Sequence, residues 1–207
     1  MTNPKWLEWA QRLQGLAQNG MSFSENPFDI ERYQAVSEIA AEMVSAGSGA
    51  NIDDIKGFYN SQSGYATPKL DVRGAIFEGD QILLVRELLD HGRWTLPGGF
   101  VDVNDRPGAA VEREVREEAG YEVRAVKLAM VYDRNSHPHP PYIFHVFKLF
   151  FICDLLGGAP ADSHETAGAQ FFPIDNLPEL SLARVTPQQL QRTYEHFRNP
   201  DLPTEFD

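Results

Sequence analysis

The chain has 207 residues, with 30 acidic against 18 basic side chains and a formal net charge of −12. That length allows one main core and a smaller unit. The acidic balance excludes a broad basic surface for DNA, and no apolar run approaches a membrane span or a secretory leader.

In chain order, residues 4–19 carry Trp6, Leu7, Ala10, Leu13 and Ala17 at helical spacing, which predicts an amphipathic helix. Residues 29–46 repeat the pattern with Tyr33, Val36, Ala40, Met43 and Val44, and Asp29 stands as the N-cap. A short third helix is predicted from Ile52 to Asn60. Helices this short bury little surface alone, so they are expected to dock on the following domain or on a second subunit. Ser61 to Gly64 and Pro68 read as a linker. The division is therefore a helical domain over 1–63 and a larger domain over 64–207.

Lys69 to Phe77 and Ile82 to Arg86 read as a hairpin around Gly79. Arg73 and Arg86 on these strands are candidate phosphate clamps, because a guanidinium fork matches phosphate oxygens; both are equally readable as charges at strand ends. Trp94-Thr95-Leu96 then leads into Pro97-Gly98-Gly99. Pro107 suits the first turn of a helix, and Gly120 suits its left-handed stop. Between them Glu114, Glu117 and Glu118 recur at spacings of three and four, which puts their carboxylates on one helix face. Such crowding costs stability unless a cation offsets it, and hard divalent ions take oxygen ligands of this kind. The plain alternative is a solvated helix laced by Glu112–Arg116 and Arg113–Glu117 pairs.

Val123 to Tyr132 reads as a strand, and Asp133 to Tyr142 as a proline-stiffened loop. His137 and His139 make a poor transition-metal pair with Pro138 between them. They and Tyr142 are carried as candidate substrate contacts, against the plain reading of a solvated loop. Ile143 to Leu155 is an apolar strand that holds Cys153, the lone cysteine, as a small buried hydrophobe. A single thiol fits a reducing cytoplasm, so a cytoplasmic location is expected. Glu165 lies in a polar loop before the strand at Gln170 to Pro173. A last helix runs from Pro187 to about Arg198, and the chain from Asn199 is expected to fray.

The run Gly99, five residues, Asp105, seven residues, then Arg113-Glu114-Val115-Arg116-Glu117-Glu118-Ala119-Gly120-Tyr121 resembles the Nudix box. The family pattern has Glu where this chain has Asp105, whose shorter side chain is expected still to pair with Arg113. The resemblance implies an α+β fold: an α/β/α sandwich around a mixed sheet, preceded here by the small all-helical domain. It implies Mg²⁺, with Mn²⁺ as substitute, held by Glu114, Glu118, Glu117 and the Gly99 carbonyl. It implies catalytic roles for Glu117, Arg113 and Glu165, the last as general base or extra metal ligand. The N-terminal helices resemble those of homodimeric enzymes that cleave a nucleoside diphosphate joined to a group X, of the ADP-ribose or CDP-choline type. A nucleoside triphosphate pyrophosphohydrolase and a non-catalytic nucleotide-sugar sensor are the alternatives.

Overall fold

The computed structural model describes residues 3–207. By contact the chain separates into two compact units. One runs up to Lys69 and takes in Pro141–His145; the other comprises Leu70–Pro140 and Val146–Asp207. The boundary thus falls at Lys69 rather than at Ser63, and a short piece of the proline loop belongs with the helices.

The helical unit is built from α1 (Lys5–Phe23), α2 (Pro27–Ser48) and α3 (Ile52–Asn60). Leu7, Ala10, Ala40, Ala41, Val44, Ile55 and Tyr59 form its core. Two glycines let the first two helices lie close. A Cβ at Gly20 would strike the Tyr33 ring, and one at Gly47 the Trp6 ring, both at 2.4 Å. These contacts, at opposite ends of the pair, make α1 and α2 antiparallel. The N-cap of α2 is Asn26 and not Asp29: its side chain accepts the Phe28 N–H at 3.0 Å, and Pro27 occupies the first turn. Asp29 instead lies within that turn, where a carboxylate meets the positive end of the helix dipole.

The larger unit contains strands β1 (Lys69–Glu78), β2 (Gln81–Glu87), β3 (Arg93–Thr95), β4 (Tyr121–Asp133), β5 (Val146–Gly158), β6 (Thr166–Pro173) and β7 (Glu205–Phe206), with helices α4 (Pro107–Ala119) and α5 (Pro187–Arg198). The sheet order is β3-β2-β1-β5-β4-β7, and β6 also pairs with β2. The sheet is mixed, since β7 runs parallel to β4 while β2 is antiparallel to β1, β3 and β6. Strand periodicity sorts side chains into two cores. Leu83, Val85, Phe151 and Cys153 pack with Val111 and Val115 of α4, whereas Ile82, Leu84, Phe150 and Ile152 pack with Leu190 of α5. This is the α/β/α sandwich. Burial pushes the Cys153 thiol up to about 12, in keeping with an inert core residue. Among the described residues no helix is long and apolar enough to cross a membrane.

Two expectations change. β5 begins at Val146 and continues through Gly158, past the expected turn, because Gly157 and Gly158 pair with Glu122 and Tyr121. The C-terminal segment is ordered into β7 rather than frayed. Arg192 pairs with Glu205, Thr204 donates to the Leu128 carbonyl at 2.7 Å, and Asp207 accepts the Asp133 N–H at 2.6 Å.

Helix α4 meets β1 at Gly74, where an added Cβ would lie 2.8 Å from Val115 Cγ2 and 3.1 Å from Val111 Cγ2. Gly74→Ala is expected to cost about 1–3 kcal/mol by overpacking. Chemical denaturation checks this; an unchanged midpoint would mean that α4 can retreat from the sheet freely.

Candidate active site

The site is assembled on α4. Its first turn starts at Pro107, and it stops at Gly120, whose φ of 77° places it in the left-handed region. A side chain there would also collide with the Ala159 carbonyl at 2.4 Å. Between these ends the repeat of three and four turns Val111 and Val115 into the core and leaves Glu114, Glu117 and Glu118 along one flank.

Glu118 is buried, with 7% of its surface exposed. Its carboxylate accepts the Gly98 N–H at 2.8 Å, and its backbone carbonyl accepts the Thr166 hydroxyl at 2.7 Å. The Gly98 N–H is aimed by pairing between β1 and the turn after β3. Gly74 N–H donates to the Pro97 carbonyl and Val72 N–H to the Gly99 carbonyl, each at 2.9 Å. Gly98 has φ of 142°, and a Cβ on it would sit 2.0 Å from the Val72 carbonyl oxygen, so only glycine fits. Burial pushes the Glu118 carboxyl up to about 7, against the opposing pull of the Arg73 charge and the Gly98 N–H. Glu114, half-buried, is raised in the same direction for the same first reason, burial.

Arg113 gathers the acidic side chains at the mouth. It lies 2.9 Å from Glu114, 3.0 Å from Glu117, and 3.4 Å from both Asp102 and Asp105. Asp105 therefore reaches Arg113 despite its shorter side chain. Facing the helix is the loop before β6. Ser163 Oγ accepts the N–H groups of Glu165 at 3.1 Å and Thr166 at 2.9 Å, and the Glu165 carbonyl accepts the Leu88 N–H at 2.9 Å. Glu114, Glu117, Glu118, Asp162, Ser163, His164 and Glu165 line one cleft of about 560 Å³. The structure brings the three helix carboxylates and Glu165 together, and adds Asp162 from the same loop.

Among the described residues no three acidic or histidine side chains already converge at bonding distance on one point. The donor set nonetheless suits a hard cation. It is all oxygen, anionic and partly dehydrated, and Gly99 leaves open the space beside Glu114 that a Cβ would enter at 3.2 Å from the carboxylate. One lone pair of the Gly99 carbonyl is already engaged by Val72.

Other candidates sit elsewhere. Arg73 is buried and its fork is taken by Asp71, at 2.8 and 2.7 Å, with a further bond to the Leu96 carbonyl at 3.2 Å. It is no open phosphate clamp; it backs the carboxylates electrostatically. Arg86 is exposed, and its Nε donates to the Gly92 carbonyl at 3.2 Å. His137 stacks on Tyr132 at 4.1 Å and bonds Asp207 at 3.0 Å. His139 is buried between the Leu182 carbonyl, 2.7 Å from Nδ1, and the Gln189 amide, 3.0 Å from Nε2. Both histidines therefore hold the loop to its own unit rather than presenting free imidazoles. Tyr142 belongs to the helical unit, where its carbonyl accepts the Gln11 amide at 3.0 Å.

Sequence reasoning missed the buried Asp71–Arg73–Lys148 cluster, in which Lys148 Nζ lies 2.9 Å from Asp71. Burial alone would raise the Asp71 carboxyl, but Arg73 and Lys148 outweigh it and hold it at about 2. Opposite charges two apart on a strand point to the same face, which was the available signal. Lys148, far along the chain, carried none. Glu87 was also missed. It is buried at a β-bulge and paired with Arg184 at 2.9 Å.

Comparison with known proteins finds relatives of both units. A sequence profile described as a UDP-X-like, N-terminal oligomerisation domain matches residues 4–59, and one described as the NUDIX domain matches residues 67–195. A Bacillus subtilis (strain 168) protein provisionally named ADP-ribose pyrophosphatase YjhB is 43% identical over 203 residues, spanning 98% of this chain and 97% of that one. A crystal structure of an ADP-ribose pyrophosphatase from Streptococcus suis 89-1591 is 42% identical, with a TM-score of 0.63, covering 68% of this chain and 100% of its own. A crystal structure of a UDP-X diphosphatase is 32% identical with a TM-score of 0.63, and the match covers 100% of both chains.

Burial pushes His139 down to about 3 from its ordinary 6.5, so the folded state favours the neutral ring. The stability this gives is present above pH 6.5 and is lost as pH falls toward 3. Between pH 7 and pH 5 the loss from this residue is expected to be about 2 kcal/mol. Denaturation at the two pH values, compared with His139→Gln, checks it: the variant should lack that share of the acid sensitivity.

Proposed function

As the chain belongs to the Nudix family and is a hydrolase, we propose that it cleaves the pyrophosphate bond of a nucleoside diphosphate joined to a second group X, releasing a nucleoside monophosphate and phosphorylated X. The observation that carries this reading is the cleft in which Glu114, Glu117 and Glu118 of one helix face Glu165 across about 560 Å³. The names of the full-length relatives support it. One is named, provisionally, for ADP-ribose and the other for UDP-X, so ADP-ribose is the first substrate to expect and a UDP-linked one the second. CDP-choline is a further member of the same chemical class.

Glu114 and Glu118 are assigned as direct ligands of a divalent cation, Mg²⁺ or Mn²⁺, with Glu117 bound directly or through water and the second lone pair of Gly99 as a further oxygen. When bound, such a cation offsets pyrophosphate charge and acidifies a water. The chain's own groups do the rest. Gly98 N–H fixes the Glu118 carboxylate at the cleft floor. Arg113 holds Glu114 and Glu117 by ion pairs, keeping them from splaying apart. Glu165, on the loop braced by Ser163, takes the proton from the attacking water. Arg86 is the arginine left exposed for the substrate's phosphates, while Arg73 acts from behind the carboxylates. The helical unit is assigned to homodimer formation; the profile it matches is described as an oligomerisation domain.

Incubation with Mg²⁺ and a panel of ADP-ribose, a UDP-sugar, CDP-choline and a nucleoside triphosphate tests the reading. Mononucleotide plus phosphorylated X is the expected product, and turnover of the triphosphate alone would overturn the substrate class. Glu165→Gln is expected to lower kcat by about 10²–10⁴-fold with little change in KM. Glu118→Gln should weaken Mn²⁺ binding, followed by electron paramagnetic resonance; near-native affinity would sink its assignment as a ligand.

A further inference from the structure

Glu87 is a buried carboxylate that the chemistry described above does not use. It is 2% exposed and ends strand β2. Across the ladder from it stands Thr166, the first residue of β6 and the neighbour of Glu165. The register shifts between Val85 and Glu87, and bulges of this kind re-aim a side chain. Three bonds meet at this corner. The Leu88 N–H donates to the Glu165 carbonyl at 2.9 Å. The Thr166 hydroxyl donates to the Glu118 carbonyl at 2.7 Å. The Glu87 carboxylate accepts the Leu89 N–H at 3.2 Å and so caps the short turn Leu88–Asp90.

We propose that Glu87 and Arg184 are positioning residues for Glu165. Arg184 lies 2.9 Å from the Glu87 carboxylate, on the segment that leads into α5, where its own N–H is held by the Ser181 carbonyl at 2.9 Å. A pair this buried adds little net stability, because dehydration cancels most of the attraction. It does fix geometry: a buried carboxylate with one counter-charge and one N–H donor has little freedom to turn. The turn it caps carries the Leu88 N–H, and that N–H ties the Glu165 loop to the sheet, whereas Ser163 braces the loop only from within. Neither Glu87 nor Arg184 lines the cleft, so both act through the backbone of Glu165 and not on the substrate. The proposal rests on the reading of Glu165 as the group that takes the proton from the attacking water.

The test is steady-state kinetics of the full chain with Mg²⁺, on whichever nucleoside diphosphate-X the substrate panel shows to be turned over. Arg184→Met is expected to lower kcat about 10–100-fold with KM little changed, since a small misplacement of a reacting group costs that much. In a Glu165→Gln background the same substitution should change kcat by less than about twofold, because it acts through a group already removed. Arg184→Lys keeps the charge and should recover most of the loss. Glu87→Gln combined with Arg184→Met leaves no buried charge unpaired, so this double variant should melt near the native temperature and still show the loss in kcat. Equal losses with and without Glu165, or native kcat in the stable double variant, would overturn the proposal. Native kcat in Glu165→Gln alone would instead overturn the reading of Glu165, a result obtained without any change at Glu87 or Arg184.

Discussion

The hydrogen bond from Gly98 N–H to the Glu118 carboxylate ties the helix that carries the acidic cleft to the turn beside the sheet. Its 2.8 Å length requires α4 to lie hard against β1 and the turn after β3. That closeness exists because Gly74 and Gly98 have no side chains to hold the layers apart. The backbone pairing of Val72 and Gly74 with Gly99 and Pro97 then sets the direction of the N–H. Packing, turn conformation and the placement of the Glu118 carboxylate are here one constraint. Each glycine serves the geometry, not local flexibility.

Electrostatics builds on that frame. Desolvation makes the charged form of Glu118 expensive, and Glu114 shares the penalty. A carboxylate in that condition gains by meeting a cation, which is the work proposed for it. Behind it lies a buried cluster with two cations, Arg73 and Lys148, on one carboxylate, Asp71. The surplus positive charge faces the acidic side chains from within the sheet, and the pull of Glu118 and Glu114 is felt at Arg73. At the mouth Arg113 plays the corresponding part from the solvent side. Buried ion clusters are weak contributors to net stability. This one holds Arg73 on the Leu96 carbonyl, beside the turn that carries Gly98 and Gly99.

The proline-rich loop shows how histidines can be consumed by structure. His139 has both ring nitrogens bonded, and His137 is stacked and bonded to the C-terminal segment. The loop is thereby anchored to α5 and to β7, and the C-terminal residues gain order from the same contacts. A loop fixed at this many points forms a wall, not a set of free reactive imidazoles.

Local rules were enough for much of this. The helix pattern of residues 4–19 and 29–46, Pro107 and Gly120 at the two ends of α4, Pro187 at the start of α5, and the β1–β2 hairpin were all legible, because caps, turns and periodicity act over a few residues. The carboxylate face of α4 was legible for the same reason: helical spacing alone aligns Glu114, Glu117 and Glu118. What only the tertiary structure decided depended on distant partners. Arg73 reads as a phosphate clamp until Asp71 is seen to hold its fork, with Lys148 bonded to the same carboxylate. His139 reads as a substrate contact on a solvated loop until Leu182 and Gln189 enclose it. The C-terminal segment reads as frayed until β4 offers it an edge. Asp162 joins the cleft only because the loop before β6 folds across α4. A side chain's type and spacing determine what it can do; whether it is free to do so is settled by which remote groups reach it first, since a buried polar atom takes whatever partner the packed fold supplies.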